Sequence, residues 1–285
     1  MTAEVYIDGI DIYTRYGLYI ADGSYANMIE WPSLKDVEVT DWHEEDGVEP
    51  DLDAPVLASR EFTLRLNGTT MRAKVEAFTA MLRAKIYHDL VLSIGRSYKV
   101  RLVSVEPAQW TEDLCAISIK FADDFPLRDY TYLRPYSTIT PSLDYRLDNT
   151  PLSTYGVIVL EGTRAQLEQT ADVKPNLTRD TLTTSGVTYD DVGSAVVNAY
   201  KPRVSCLMRA QTLDELWRNY DALLYNLVRP GEHTLVTTTA GKRYTFYYDA
   251  CNVRRFFPDG KIWLEFDIII NVFKLPEVFA TPIDE

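Results

Sequence analysis

The residues with the types and spacing for chemistry stand together in Trp42-His43-Glu44-Glu45-Asp46. Paired carboxylates beside a sugar-stacking ring are the makings of a glycosidase site, with Glu44 or Glu45 as the working acid. Adjacent acids in a loop are more often solvated, and here the run continues. Asp41–Asp53 (DWHEEDGVEPDLD) contains seven carboxylates and neither Lys nor Arg. It lacks the alternating oxygen register of a calcium loop that ends on Glu. The three histidines, His43, His88 and His233, are not at metal-ligand spacing. Cys115, Cys206 and Cys251 form no CxxC pair and are odd in number, so they read as buried thiols of a reducing compartment. No P-loop, GxGxxG or GxSxG occurs. The reading is therefore of a chain without catalytic residues, metal or cofactor.

The elements that hold this acidic run in place are legible from periodicity. Thr212–His233 (TLDELWRNYDALLYNLVRPGEH) opens with Thr212 and Glu215 at capping-box spacing. It carries an apolar stripe at Leu216, Tyr220, Leu224 and Leu227, and it stops at Pro230-Gly231. About 140 residues upstream the pattern recurs in Thr70–Tyr87, with a stripe at Val75, Phe78, Leu82 and Ile86. Each helix is followed by alternating, β-rich runs. Leu90–Ile94, Tyr98–Val105 and Leu114–Phe121 answer to Thr234–Thr239, Arg243–Ala250 and Ile262–Ile270. Ahead of the helices, Arg60–Leu66 answers to Arg203–Arg209.

Single residues keep the same beat. Tyr16-Gly17 and Gly23 recur 139 residues on as Tyr155-Gly156 and Gly162, while Tyr98 and Trp110 recur 146 on as Tyr244 and Phe256. Asp41–Asp53 has its counterpart in Thr181–Asn198, and loops this long in a compact unit are usually functional or disordered. The fold class expected is mainly β (α+β): two tandem β-sandwich or barrel domains, each with one packed helix. The first is placed at 1–126 and the second at 152–275. A Pro/Tyr-rich linker is read at 127–151 and an acidic tail at 276–285.

At 285 residues, 46% apolar and 25% charged, the composition is that of a globular protein. No stretch approaches the length of a membrane helix, and the opening MTAEVYIDGIDIY has no signal-peptide pattern, so no membrane insertion is expected. A net charge of −13 without clustered Lys and Arg argues against a phosphate-binding surface. Such a charge serves solubility at least as readily as it suits a conduit along which DNA must slide. The 19 tyrosines could stack on sugars in a carbohydrate-binding module, but core and protein interfaces are the commoner use.

The opening YIDGIDIYTRYGLYI, the acidic WHEEDGVEPD and the REFTLRL strand leading into a helix resemble the N-terminal domain of tailed-phage distal tail proteins. That domain is similar to the tail-tube fold of tube proteins and baseplate hubs. The resemblance covers residues 1–126 and extends through the repeat to 144–274. It implies a β-sandwich with a flanking helix, subunits closed into rings around a DNA channel, and a long loop that reaches to a neighbouring subunit. On that basis Asp41, Trp42, Glu44, Glu45, Asp46, Glu49, Asp51 and Asp53 are expected to form an assembly or lumen loop. The expected partners are a homo-oligomeric ring of three or six chains and the tube, hub and receptor-binding proteins of a tail. DNA would pass only transiently. The expected location is the virion tail, assembled in the host cytoplasm. The rival reading within the class is a major tail-tube subunit with a duplicated domain.

Overall fold

The structure, a computed structural model, describes residues 5–112, 114–138, 145–175, 178–183, 185–189 and 195–279. Strands dominate, and they form two curled antiparallel sheets of eight strands each. Across the first sheet the order is Ile10–Asp11, Val5–Ile7, Tyr87–Leu92, Arg96–Val105, Leu114–Asp123, Arg60–Thr69 and Leu18–Ile20, with Gln109–Thr111 added beside Leu114–Asp123. Across the second it is Thr150–Pro151, Tyr145–Leu147, His233–Thr237, Lys242–Phe257, Ile262–Val272, Arg203–Ala210 and Val157–Val159, with Glu277–Val278 beside Lys242–Phe257. Strand for strand the two seven-strand paths match, and only the added eighth strand differs in place. One irregularity coincides: the ladders skip Val103 in one sheet and Asp249, 146 residues on, in the other, while a second skip at Arg254 belongs to the second sheet.

Period-2 alternation accounts for the first sheet. Phe62, Leu64 and Leu66 face inward from Arg60–Thr69, against Phe121, Ile119 and Ile117 of the paired strand. In the second sheet the alternation is blurred, because Phe266, Asp267 and Ile268 are all buried in succession. A strand covered on both faces reads this way: Tyr220 and Trp31 pack on Phe266, while Arg254 and Arg203 close over Asp267.

One long helix packs on each sheet, beside the short helices Ile12–Tyr16, Tyr25–Ile29 and Thr163–Leu167. In Leu213–Leu227 the stripe Leu216, Tyr220, Leu224 and Leu227 is buried. The Thr212 hydroxyl accepts from the Glu215 amide at 3.1 Å, while the Glu215 carboxylate accepts from the Gln211 amide at 3.0 Å, one residue earlier than the capping box prescribes. In Arg72–Arg83, Val75, Phe78 and Leu82 are buried. Ile86 is not part of that stripe: it is 70% exposed. The helix ends at Arg83, so the i+4 step from Leu82 no longer applies.

The boundaries also differ from the sequence reading. Tyr145–Leu147 and Thr150–Pro151, inside the segment read as a linker, form the edge hairpin of the second sheet and pair with His233–Thr237. Glu277–Val278, read as part of a tail, pairs with Lys242–Arg243; residues 280–285 lie outside the described residues. Apolar packing is continuous from one half to the other, through Trp31, Tyr220 and Phe266.

Each half fastens its edge hairpin in the same way. Asp8 and Asp148 occupy left-handed turn positions, at φ of 52° and 45°. The Asp8 carboxylate meets His88 Nδ1 at 2.9 Å and the Asp89 amide at 3.2 Å; Asp148 meets His233 Nδ1 at 2.6 Å and the Thr234 amide at 2.7 Å. The far nitrogen of each ring faces a carbonyl near the end of the preceding helix, Leu82 at 2.8 Å and Arg229 at 3.1 Å. Each buried imidazole thus ties hairpin, strand and helix together.

Candidate functional site

The two long loops are the ends of hairpin arms. In the first half the arm is clipped at its base by the Leu34–Leu57 bridge, with Lys35 N–H on Val56 O and Ala58 N–H on Ser33 O, and Val39–Thr40 pairs with Glu49–Pro50 further out. The second half repeats the clip with the Val173–Val197 bridge, Lys174 N–H on Val196 O and Asn198 N–H on Asp172 O, and Thr178–Asp180 pairs with Val187–Tyr189. Residues 184 and 190–194 of the Thr181–Asn198 loop lie outside the described residues.

The first arm lies across the second sheet. At its base Leu34 N–H donates to the carbonyl of Asp249, the residue skipped by the ladder, at 2.8 Å. Towards its tip Gly47 N–H donates to Val197 O at 2.7 Å and Val48 N–H to Phe273 O at 3.2 Å. Beneath, Leu52 buries against Tyr247 and Phe273, flanked by Val37, Val48 and Ala199. Gly47 has a φ of 74°, and a Cβ there would stand 1.8 Å from Phe273 O. Only glycine fits this crossing.

The acidic run serves this contact unevenly. Asp41 Oδ1 and the Trp42 carbonyl take the Lys174 ammonium at 2.5 and 2.7 Å, and Lys174 is 2% exposed. Burying that cation demands such partners. Asp46 accepts from the Val197 amide at 2.8 Å. Glu49 accepts from Trp42 Nε1 at 3.3 Å, and Asp51 from the Asp53 amide at 3.1 Å. Glu44, Glu45 and Asp53 are exposed. The carboxylates therefore do not converge on one point, and Trp42 is half exposed. The loop expected to reach a neighbouring subunit lies against the second half of its own chain, where Lys174, Val197 and Phe273 supply partners for it.

A second contact joins the turn Leu92–Arg96 to the helix Leu213–Leu227. Trp217 Nε1 donates to Ile94 O at 2.5 Å. The Arg96 guanidinium grips Asp221 through two bonds of 2.7 Å and lies 4.2 Å over the Trp217 ring. Burial, the largest single influence, would lower the Arg96 pKa, yet the Asp221 charge and hydrogen bonds, with Tyr98 and Tyr220, together outweigh it and raise it. Between the two contacts Trp31 stacks on Tyr220 at 4.4 Å. The Tyr220 hydroxyl donates to Ile29 O at 3.0 Å and that of Tyr248 to Pro32 O at 2.7 Å, and burial pushes both phenols well up. Asn219 holds the connecting segment by bonding the Tyr136 amide and carbonyl at 3.0 and 2.7 Å. The seam is extensive, and it uses these aromatics internally rather than as a sugar platform.

Two grooves remain. One, of about 900 Å³, runs between the halves beside Arg60, Arg96 and Trp31. The other, of about 660 Å³, lies along the helix Arg72–Arg83 against Trp110. No residue of Asp41–Asp53 lines either. Among the described residues no group of three His, Cys, Asp or Glu side chains is arranged for a metal, and no helix is long and apolar enough to cross a membrane.

No protein-family model matches the sequence, and no curated protein does. Among solved structures the chain is similar to the SPP1 Dit (gp 19.1) protein, described as a paradigm of the hub adsorption apparatus in Gram-positive infecting phages. The identity is 10% and the TM-score 0.35, with 98% of this chain and 100% of that one covered.

Proposed function

We propose that the chain is a structural protein of a phage-like tail tip, assembling as a ring that joins the tail tube to the hub or receptor-binding apparatus around a DNA channel. The observation that carries this reading is the contact between two units of one topology, made by the arm of the first on the sheet of the second. Different surfaces of the two units meet, so the contact is heterologous, and a heterologous contact repeated with a closing rotation makes a ring. Three chains would supply six units. The net charge of −13 keeps DNA from adhering to the inner wall. The chain's role is mechanical, with no catalytic step, and its natural place is the virion tail. The same unit serves equally in a tube subunit, from which copy number per particle distinguishes it.

Native mass spectrometry and negative-stain imaging of the purified chain test the reading together. A closed ring of three or six chains with a central hole is expected. A chain that stays monomeric at the highest soluble concentration overturns it.

A further inference from the structure

We infer that the exposed face of the helix Arg72–Arg83 receives the turn Thr237–Lys242 of a second copy of this chain, repeating between chains the contact already made within one. The inference rests on the ring reading and specifies its interface.

The argument starts from a mismatch between equivalent helices. Leu213–Leu227 buries nine of its 15 residues, because the turn Leu92–Arg96 and the connecting segment cover its outer side. Arg72–Arg83 buries three of 12. The same helix on the same sheet therefore has a face that is covered in one half and bare in the other.

The bare face is shaped for the same visitor. The residues preceding the two helices, Met71 and Thr212, set Glu76 at the place of Trp217. Trp217 packs on Phe256 at 5.4 Å, and the counterpart of Phe256 is Trp110, which lines the 660 Å³ groove with Glu76. The groove thus occupies the position that Trp217 fills in the second half.

The visitor exists too. The turn Leu92–Arg96 has its equivalent in Thr237–Lys242, with Gly95-Arg96 matched by Gly241-Lys242. Arg96 finds Asp221 on the covered helix, whose place on the bare one is taken by Ala80; Lys242 would find Glu76 one turn earlier. Within its own chain the Lys242 ammonium meets the partly exposed Glu168 at 3.3 Å, a pair that contributes little, while its backbone pairs with Val278 and the Gly241 carbonyl accepts from the Phe279 amide.

A separate part of the seam agrees. The arm residue Leu34 bonds the bulge carbonyl of Asp249. Its equivalent, Val173, is 57% exposed, and the equivalent bulge residue, Val103, is 38% exposed. Two apolar side chains left in water at matched positions are what an unmade contact leaves behind.

Cysteine pairs test the placement, since Cys115, Cys206 and Cys251 are all buried and free. A chain carrying Glu76→Cys is mixed with one carrying Ala240→Cys and mildly oxidised. A linked dimer is expected from the mixture and from neither chain alone, and the doubly substituted chain should close into a covalent three-chain species. Val103→Cys with Val173→Cys tests the other contact in the same way if the first pair folds poorly. Glu76→Lys should weaken assembly at least tenfold, and adding Lys242→Glu should restore it. Rings seen by native mass spectrometry in which neither pair links above an Asp259→Cys control would overturn this interface while leaving the ring reading intact. Absence of any ring from the unsubstituted chain would defeat both.

Discussion

Replacing Gly47 with alanine is the sharpest probe of the crossing between the two halves. The new Cβ would sit 1.8 Å from Phe273 O and 2.7 Å from Phe273 C. Both are backbone atoms at the end of a central strand, so the arm must lift rather than the strand yield. Lifting breaks the Gly47–Val197 and Val48–Phe273 bonds and the Asp46 contact with the Val197 amide. At about 1 kcal/mol each, with about 1 kcal/mol more for an L-residue at positive φ, the loss is about 4 kcal/mol. Gly23 supplies the control: its φ is 77°, yet a Cβ there meets nothing within 4 Å, so Gly23→Ala shows the φ cost alone. Urea unfolding measures the two losses, and hydrogen exchange at the Val48 amide shows where the change lies. Val48 should lose protection in Gly47→Ala while Ile119, deep in the first sheet, keeps it. Equal stabilities for the two alanine variants, with Val48 still protected, would refute the crossing.

Three further outcomes follow from the same geometry. Burial would raise the carboxyls of Asp8 and Asp148, but the histidine and amide partners of each outweigh it and hold both below the ordinary 3.8. Their contribution is therefore full above that value and fades as pH falls through the folded one. Asp148→Asn should cost about 1–3 kcal/mol at pH 7 in thermal or urea unfolding and make the acid limb shallower; an unchanged acid limb would contradict the pairing. Asp221→Ala strands the mostly buried Arg96 and should cost about 3–5 kcal/mol, whereas the double variant Arg96→Met, Asp221→Leu should recover most of it, as a double-mutant cycle would register. Burial pushes up all three thiols. An aromatic disulfide reagent should label none of them until the chain unfolds, and fast labelling of one would show that its site opens.

How far the sequence carried these features depended on how local they are. The helix Leu213–Leu227 announced itself because capping and the 3.6-residue stripe both fall within one short window. Ile86 was misplaced by the same rule, since periodicity carries no signal for the last turn when no glycine or proline marks it. The tandem repeat emerged from offsets of 139 to 146, which survive because strand lengths and turns are fixed by the sheet. The destination of the arm did not emerge. Gly47 meets Phe273 across more than 200 residues, and a seven-carboxylate run looks solvated until the buried Lys174 is seen beneath it. The paired imidazoles were legible and overlooked: Asp8 and His88 recur at Asp148 and His233, each at the offset of its neighbours. A search for metal ligands asks about spacing along the chain, and these partners lie 80 and 85 residues apart.

Where the two halves depart from each other, the departures concern the seam rather than the scaffold. Under the arm of the first half the second sheet offers Tyr247 and Phe273, which bury Leu52. In the first sheet the matching places, by ladder register, are Arg101 and Asp124. That pair is joined by bonds of 2.6 and 2.9 Å and braced by the Tyr87 hydroxyl at 3.0 Å. One unit therefore presents an apolar floor to an incoming arm and the other a charged one. An apolar, close-packed contact behaves like a domain interior and stays made, while a polar one resembles the rim of a reversible interface and weakens with salt. On the proposed ring reading, the apolar floor holds the two units of one chain together, and the charged floor makes the contact between chains the more reversible one.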